Sequence, residues 1–181
     1  MQFLQSNITF VVTTLTLISN IVFVLFLLYL FVNKNFRKVV YDFVNKYVLA
    51  LLFTVSLGAL IGSLSYSNIV GFPPCELCWF QRILMYPQAL LAFIAIRKKD
   101  KGIVDYLLPL SILGALVSFY HSLVHWGIGT SLLACTANGG ECGKVYVLEY
   151  SYITIPFMAF SCFVYLITIS VIYYKSKGEK L

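Results

Sequence analysis

Five long apolar stretches dominate this chain, approximately Ile8–Val32, Val48–Ile69, Trp79–Ile96, Val104–Trp126 and Ile153–Tyr174. A hydrocarbon core about 30 Å thick is crossed by roughly 20 helical residues rising about 1.5 Å each. All five stretches suit that span, with Trp79–Ile96 near the lower limit. Hydrophobic residues make up 60% of the chain and charged residues 11%. Soluble domains hold roughly 45–50% apolar residues, and the excess here has no interior to fill. The bulk solvent of these segments is therefore lipid, and the expected fold is all-α and polytopic. The connections are short, with no linker, low-complexity tract or clear repeat, so the helices form one compact unit.

The first stretch reads as a retained span, not a signal peptide. Met1–Asn7 carries no Lys or Arg, the apolar run is too long, and no small-residue cleavage site follows. It is apolar on every face and has no thiol, histidine or interior charge, so it is expected to be peripheral to the other four spans.

Basic residues set the orientation. Lys34, Arg37, Lys38 and Lys46 follow the first span, Arg97, Lys98, Lys99 and Lys101 the third, and Lys175, Lys177 and Lys180 the fifth. Eleven of the 13 basic residues thus share one side, leaving Lys144 opposite and Arg82 inside a span. Such asymmetry predicts an outer N-terminus and a cytoplasmic C-terminus in a bacterial plasma membrane. The net charge of +6 is then topological, and no nucleic-acid partner is expected.

The chemistry begins in the run PCELCWFQR, Pro74 to Arg82, which sets Cys75 and Cys78 at the start of the third span. Gly71, Pro73 and Pro74 break the preceding helix, and the next is expected to begin near Cys78. A helix N-terminus carries partial positive charge and favours a thiolate. Arg82 lies four residues after Cys78, on the same helical face. There it either stabilises a thiolate or an anionic reduced carrier, or snorkels to the headgroups. His121 and His125, also i, i+4, lie at similar depth on the fourth span, suited to hydrogen bonding and proton exchange or to a structural contact between helices. A second pair, Cys135 and Cys142, sits in a polar loop before the fifth span, where a disulfide is either exchangeable or an inert staple. Both pairs fall on the outer side, where disulfides persist. Cys162, alone in the last span, reads as a small hydrophobe.

Two small-residue pairs, Gly58 with Gly62 and Gly114 with Ser118, are expected to let helices approach closely. Pro156 falls in the first turn of the last span, and Pro87 is expected to kink or loosen the third.

The runs PCELCWFQRILMYP (Pro74–Pro87), SFYHSL (Ser118–Leu123) and ITIPFMA (Ile153–Ala159), with the paired loop cysteines, resemble the disulfide bond formation protein B (DsbB) family in its shorter, BdbC-type branch. The resemblance covers roughly Lys46 to Lys180. It implies a four-helix thiol:quinone oxidoreductase, residues 46–181, preceded by an additional helix and cytoplasmic basic loop, residues 1–45. It further implies that electrons pass from an extracytoplasmic thioredoxin-like oxidoreductase (DsbA- or BdbD-like) through Cys135 and Cys142, then Cys75 and Cys78, to a membrane quinone, menaquinone or ubiquinone. By the same resemblance Arg82 and His121 flank the quinone, and no metal is needed. The family's longer-loop branch lays an amphipathic segment on the membrane, and Val145–Tyr152 (VYVLEYSY) could lie along the interface in the same way.

Two other functions fit some of the residues. A vitamin K epoxide reductase-like enzyme also joins cysteine pairs to quinone, but with its Cys-x-x-Cys late in the chain, the reverse of the order here. A membrane metal-binding or transport protein would use the thiols and histidines as ligands.

Overall fold

The structure is a computed structural model describing residues 2–128 and 141–178. The described residues form five α-helices: α1 (Gln2–Val32), α2 (Lys34–Leu64), α3 (Glu76–Lys98), α4 (Val104–His125) and α5 (Ile155–Gly178). All five are long and apolar enough to cross a membrane. A π-helical turn, Ser65–Ile69, ends α2 before Gly71, whose φ of 82° turns the chain into Pro73 and Pro74. No β-strand occurs among the described residues beyond one isolated Glu149–Ile153 bridge. That bridge closes a turn between Glu149 and Ile153, with Tyr150 and Ser151 at positive φ.

Asn33 separates α1 from α2. Its side-chain oxygen accepts hydrogen bonds from the backbone N–H groups of Asn35 and Phe36 at 3.0 and 3.1 Å, capping α2. The expected basic loop from Asn33 to Tyr47 is therefore helical. The physical reason is a four-residue apolar repeat, Phe36, Val40, Val44 and Val48, which gives the segment one face to bury.

Helices α2 to α5 pack around Val48, Leu52, Ala92, Leu107, Phe163 and Leu166, all buried. Lipid supplies no hydrophobic drive between helices, so close contact and polar links hold them. At Gly114 an added Cβ would lie 2.2 Å from the Phe163 ring, so this glycine lets α4 meet α5. Ser111 on α4 donates to Gln88 on α3 at 2.9 Å. Pro87 lies inside α3 without ending it, and Pro156 takes the first turn of α5.

Gly58 and Gly62 behave differently from Gly114. An added Cβ at either would meet nothing within 4 Å, so this pair leaves space where close helix contact was expected.

At one end of the bundle Lys101 donates to the Asn45 carbonyl and Tyr174 to Asp105. The α3–α4 turn thus meets α2 and the end of α5, gathering the basic segments. Cys75 and Cys78 lie at the opposite end.

Helix α1 leans on α2 and α5. Phe23 packs on Tyr165 with ring centroids 4.6 Å apart, and Phe26 meets Phe36 at 6.0 Å. Its outer face is exposed apolar surface, including Val22 and Leu25. It is not merely peripheral, because Val12, Leu15, Thr16 and Ser19 line the cavity that also holds Cys75 and Cys78.

Candidate functional site: a thiol cluster beside an apolar cavity

Cys75 is the N-cap of α3, in extended backbone after the two prolines, so α3 starts at Glu76, slightly earlier than expected. The single helical turn to Cys78 brings the two sulfurs within 3.2 Å, with the Cys75 thiol donating to the Cys78 sulfur. That donated hydrogen bond, and burial after it, push the Cys75 pKa from 9.0 up to about 12. Cys75 therefore keeps its proton at physiological pH while Cys78 receives the hydrogen bond.

His121 comes from α4 and is almost wholly buried. Gln81, one turn after Cys78, donates from its amide nitrogen to His121 Nδ1 at 3.0 Å. An accepting Nδ1 leaves the proton of a neutral ring on Nε2. Nε2 then donates to the Cys142 carbonyl at 3.2 Å and lies 3.7 Å from Cys75 Sγ. One imidazole thus ties α3 to the loop before α5. Gln81 is a site residue that the sequence reading missed; its position three residues beyond Cys78 was the available signal.

Cys142 sits in a short turn, Glu141–Gly143, and is buried in one cluster with Cys75 and Leu77. Cys78, Val117 and Tyr120 pack around that cluster. Three of the four expected redox cysteines therefore meet in one place. Cys135 lies outside the described residues.

Arg82 does not touch Cys78 directly. Its Nε donates to Ser63 Oγ at 3.1 Å and a terminal nitrogen donates to the Ser63 carbonyl at 3.2 Å. Tyr86 also donates to Ser63 Oγ, at 3.0 Å, and the guanidinium stacks 5.4 Å from the Trp79 ring centre. Arg82 is thus held in place at the wall of the cavity, rather than reaching freely to headgroups. Ser63 is the second residue missed from sequence.

The cavity measures about 650 Å³. Cys75, Cys78, Gln81, Arg82, His121 and His125 line it at the thiol end. The His125 ring meets that of His121 edge-on at 4.7 Å, and its Nδ1 is buried with no hydrogen-bond partner among the described residues. Cys162 packs beside the core and lines the cavity deeper in α5. The site therefore offers two adjacent thiols, fixed hydrogen-bond donors and an apolar chamber. The ligand atoms of Cys75, Cys78 and His121 also lie within 4.8 Å of one another, near enough to converge on a metal. Both His121 nitrogens are already engaged, so ligation would break one of those bonds.

Comparison with known proteins places the chain in a family. Residues 45–173 match the family model for disulfide bond formation protein DsbB. The probable disulfide formation protein C of Bacillus cereus is 39% identical over 138 residues, covering 74% of this chain and 96% of that protein. Disulfide bond formation protein C of Bacillus subtilis is 41% identical over 126 residues, covering 70% and 89%. The probable disulfide formation protein of Oceanobacillus iheyensis is 38% identical over 137 residues, covering 74% and 92%. No solved structure matches the chain significantly. A matched segment that begins in α2, ends in α5 and contains the whole thiol cluster makes this chain a member of the DsbB family of disulfide bond formation proteins.

Proposed function

We propose that this chain is a protein dithiol:quinone oxidoreductase of the bacterial plasma membrane. It reoxidises a thioredoxin-like partner outside the cell and passes the electrons to a membrane quinone. The observation that carries the reading is the packing of buried Cys75, Cys142 and His121 with half-buried Cys78 against an apolar cavity.

The exchange balances as follows. A partner thiolate attacks Cys135 of the Cys135–Cys142 disulfide, and closure of the partner disulfide leaves both loop thiols reduced. Cys142 then attacks Cys75 of the Cys75–Cys78 disulfide, displacing Cys78 as thiolate. Cys135 closes back on Cys142 and releases Cys75. Two electrons and two protons now reside on Cys75 and Cys78. The Cys142–Cys75 packing supports the second transfer. Quinone, when bound, supplies the two-electron, two-proton acceptor. Its fit rests on the apolar cavity with fixed donors at one end, where Gln81 and Ser63 orient His121 and Arg82. Cytoplasmic placement of the basic end puts every redox thiol in the oxidising compartment. Residues 46–181 would form the oxidoreductase domain, and residues 1–45 an addition to it.

The test is a purified, lipid-embedded chain given a reduced thioredoxin-like protein and a naphthoquinone. Equal amounts of protein disulfide and quinol are the expected products. Oxidation that proceeds without quinone, or zinc bound tightly by Cys75 and Cys78 with no dithiol oxidation, would overturn the reading in favour of a metal site.

A further inference from the structure

The two ends of the cavity differ in chemistry. The thiol end presents Arg82, His121 and the His125 Nδ1, which has no hydrogen-bond partner among the described residues. The other end is walled by α1, through Val12, Leu15, Thr16 and Ser19, and by the glycine face of α2, with α5 beside them. Hydroxyls at this end are already satisfied. Thr16 donates to the Val12 carbonyl at 2.8 Å, Thr54 to that of Leu51 at 3.0 Å, and Ser161 to that of Phe157 at 3.1 Å. Ser19 donates to the Thr16 carbonyl at 2.9 Å and meets the Tyr165 hydroxyl at 3.0 Å, while that hydroxyl donates to Asn20. Such a wall has little hydrogen bonding left for a ligand and favours hydrocarbon.

The glycines give this end its room. Gly58 and Gly62 both line the cavity, and no heavy atom stands within 4 Å of where their Cβ atoms would be. The lined part of α2, from Thr54 to Ser65, rises about 16 Å at about 1.5 Å per residue. This is a groove much longer than a single ring, continuous with the thiol site.

We infer that α1 and the glycine face of α2 hold the apolar isoprenoid tail of the quinone whose ring reacts beside Cys78. The inference rests on the quinone reading above. It gives α1 a role in substrate selection, and α1 precedes the residues matched by the family model, which begin at 45. Long-tailed quinones gain contacts with α1 that tail-less quinones cannot make.

The test compares a naphthoquinone carrying an isoprenoid tail with one carrying only ring methyls, on the full chain in lipid. Gly62→Leu fills the groove and should raise KM for the tailed quinone about tenfold, the scale of losing a few buried methylenes. KM for the tail-less quinone should stay within about twofold, a change below 0.5 kcal/mol. Leu25→Ala, on the exposed face of α1, should change neither. In parallel, a naphthoquinone with a photoreactive group at its tail end should label the unmodified chain within Val12–Ser19, a result that does not depend on any variant folding. Wild-type protein that reduces neither quinone overturns the quinone reading and this inference together. Wild-type protein that reduces both, with equal KM changes in Gly62→Leu or photolabel absent from α1, overturns the tail assignment alone.

Discussion

The ring of His121 and the backbone carbonyl of Cys142 are hydrogen-bonded across 3.2 Å. This bond anchors the turn of the second cysteine pair to α4, against the first pair. Removing the ring by His121→Ala removes the bond to the Cys142 carbonyl and the acceptor of the Gln81 amide. Each loss costs about 1–3 kcal/mol in a buried site. Turnover with the protein partner is expected to fall about 10- to 100-fold, since each tenfold is about 1.4 kcal/mol. Unchanged turnover would deny His121 any part in the exchange.

Gln81 is a positioning residue acting through His121. Gln81→Leu keeps the volume but removes the donor to Nδ1, and Gln81→Glu offers an acceptor that favours the opposite tautomer. Both variants should shift the pH profile of turnover and lower it about tenfold, the scale of one hydrogen bond of about 1.4 kcal/mol. A normal profile in Gln81→Leu would show that the ring is oriented by packing alone.

The raised pKa of Cys75 has a signed consequence. The folded value is about 12 against 9.0 for an ordinary thiol. Stability from this group is fully present below pH 9.0 and is lost as pH rises toward about 12. In the reduced protein, alkylation of Cys75 should stay slow through neutral pH and accelerate only toward that value. Cys78→Ala removes the largest cause of the shift, so Cys75 should then alkylate at lower pH. Equal alkylation profiles in the two proteins would contradict the hydrogen bond.

Serine replacement separates the redox thiols from the passenger. Cys75→Ser, Cys78→Ser, Cys135→Ser and Cys142→Ser should each abolish partner oxidation. Cys162→Ser should stay within about twofold of wild type, as a like-sized change on the cavity wall with no second thiol beside it among the described residues. Full turnover by Cys78→Ser would sink the proposed electron path.

Two glycine substitutions should have opposite effects. Gly114→Ala drives a Cβ into the Phe163 ring and should cost about 1–3 kcal/mol or more. Gly58→Ala meets open space and should leave stability unchanged or raise it by about 0.5–1 kcal/mol through helix propensity. Thermal unfolding in detergent measures both, and Phe163→Leu should partly rescue Gly114→Ala.

Orientation has its own check. Lys99→Cys and Lys177→Cys, in a background lacking other thiols, should resist an impermeant thiol label in intact cells and react after lysis. Labelling of Lys99→Cys in intact cells would reverse the membrane orientation and remove the compartment argument with it.

Sequence alone determined what depends on local composition and spacing. Hydropathy over some twenty residues marks a span, and an i, i+4 step sets Arg82 beside the Cys78 face and His121 beside His125 without knowledge of neighbours. The thiol motif was legible for the same reason, because one helical turn joins Cys75 to Cys78. Only the tertiary structure brought Cys142 against Cys75, gave His121 to Gln81 and tied Arg82 to Ser63. It also gave two similar small-residue pairs opposite tasks: Gly114 admits Phe163, whereas Gly58 and Gly62 open a groove toward α1. Such outcomes depend on how each helix is rotated and tilted against the next. In lipid that choice is made by close packing and polar links between helices, which no single helix carries in its own spacing.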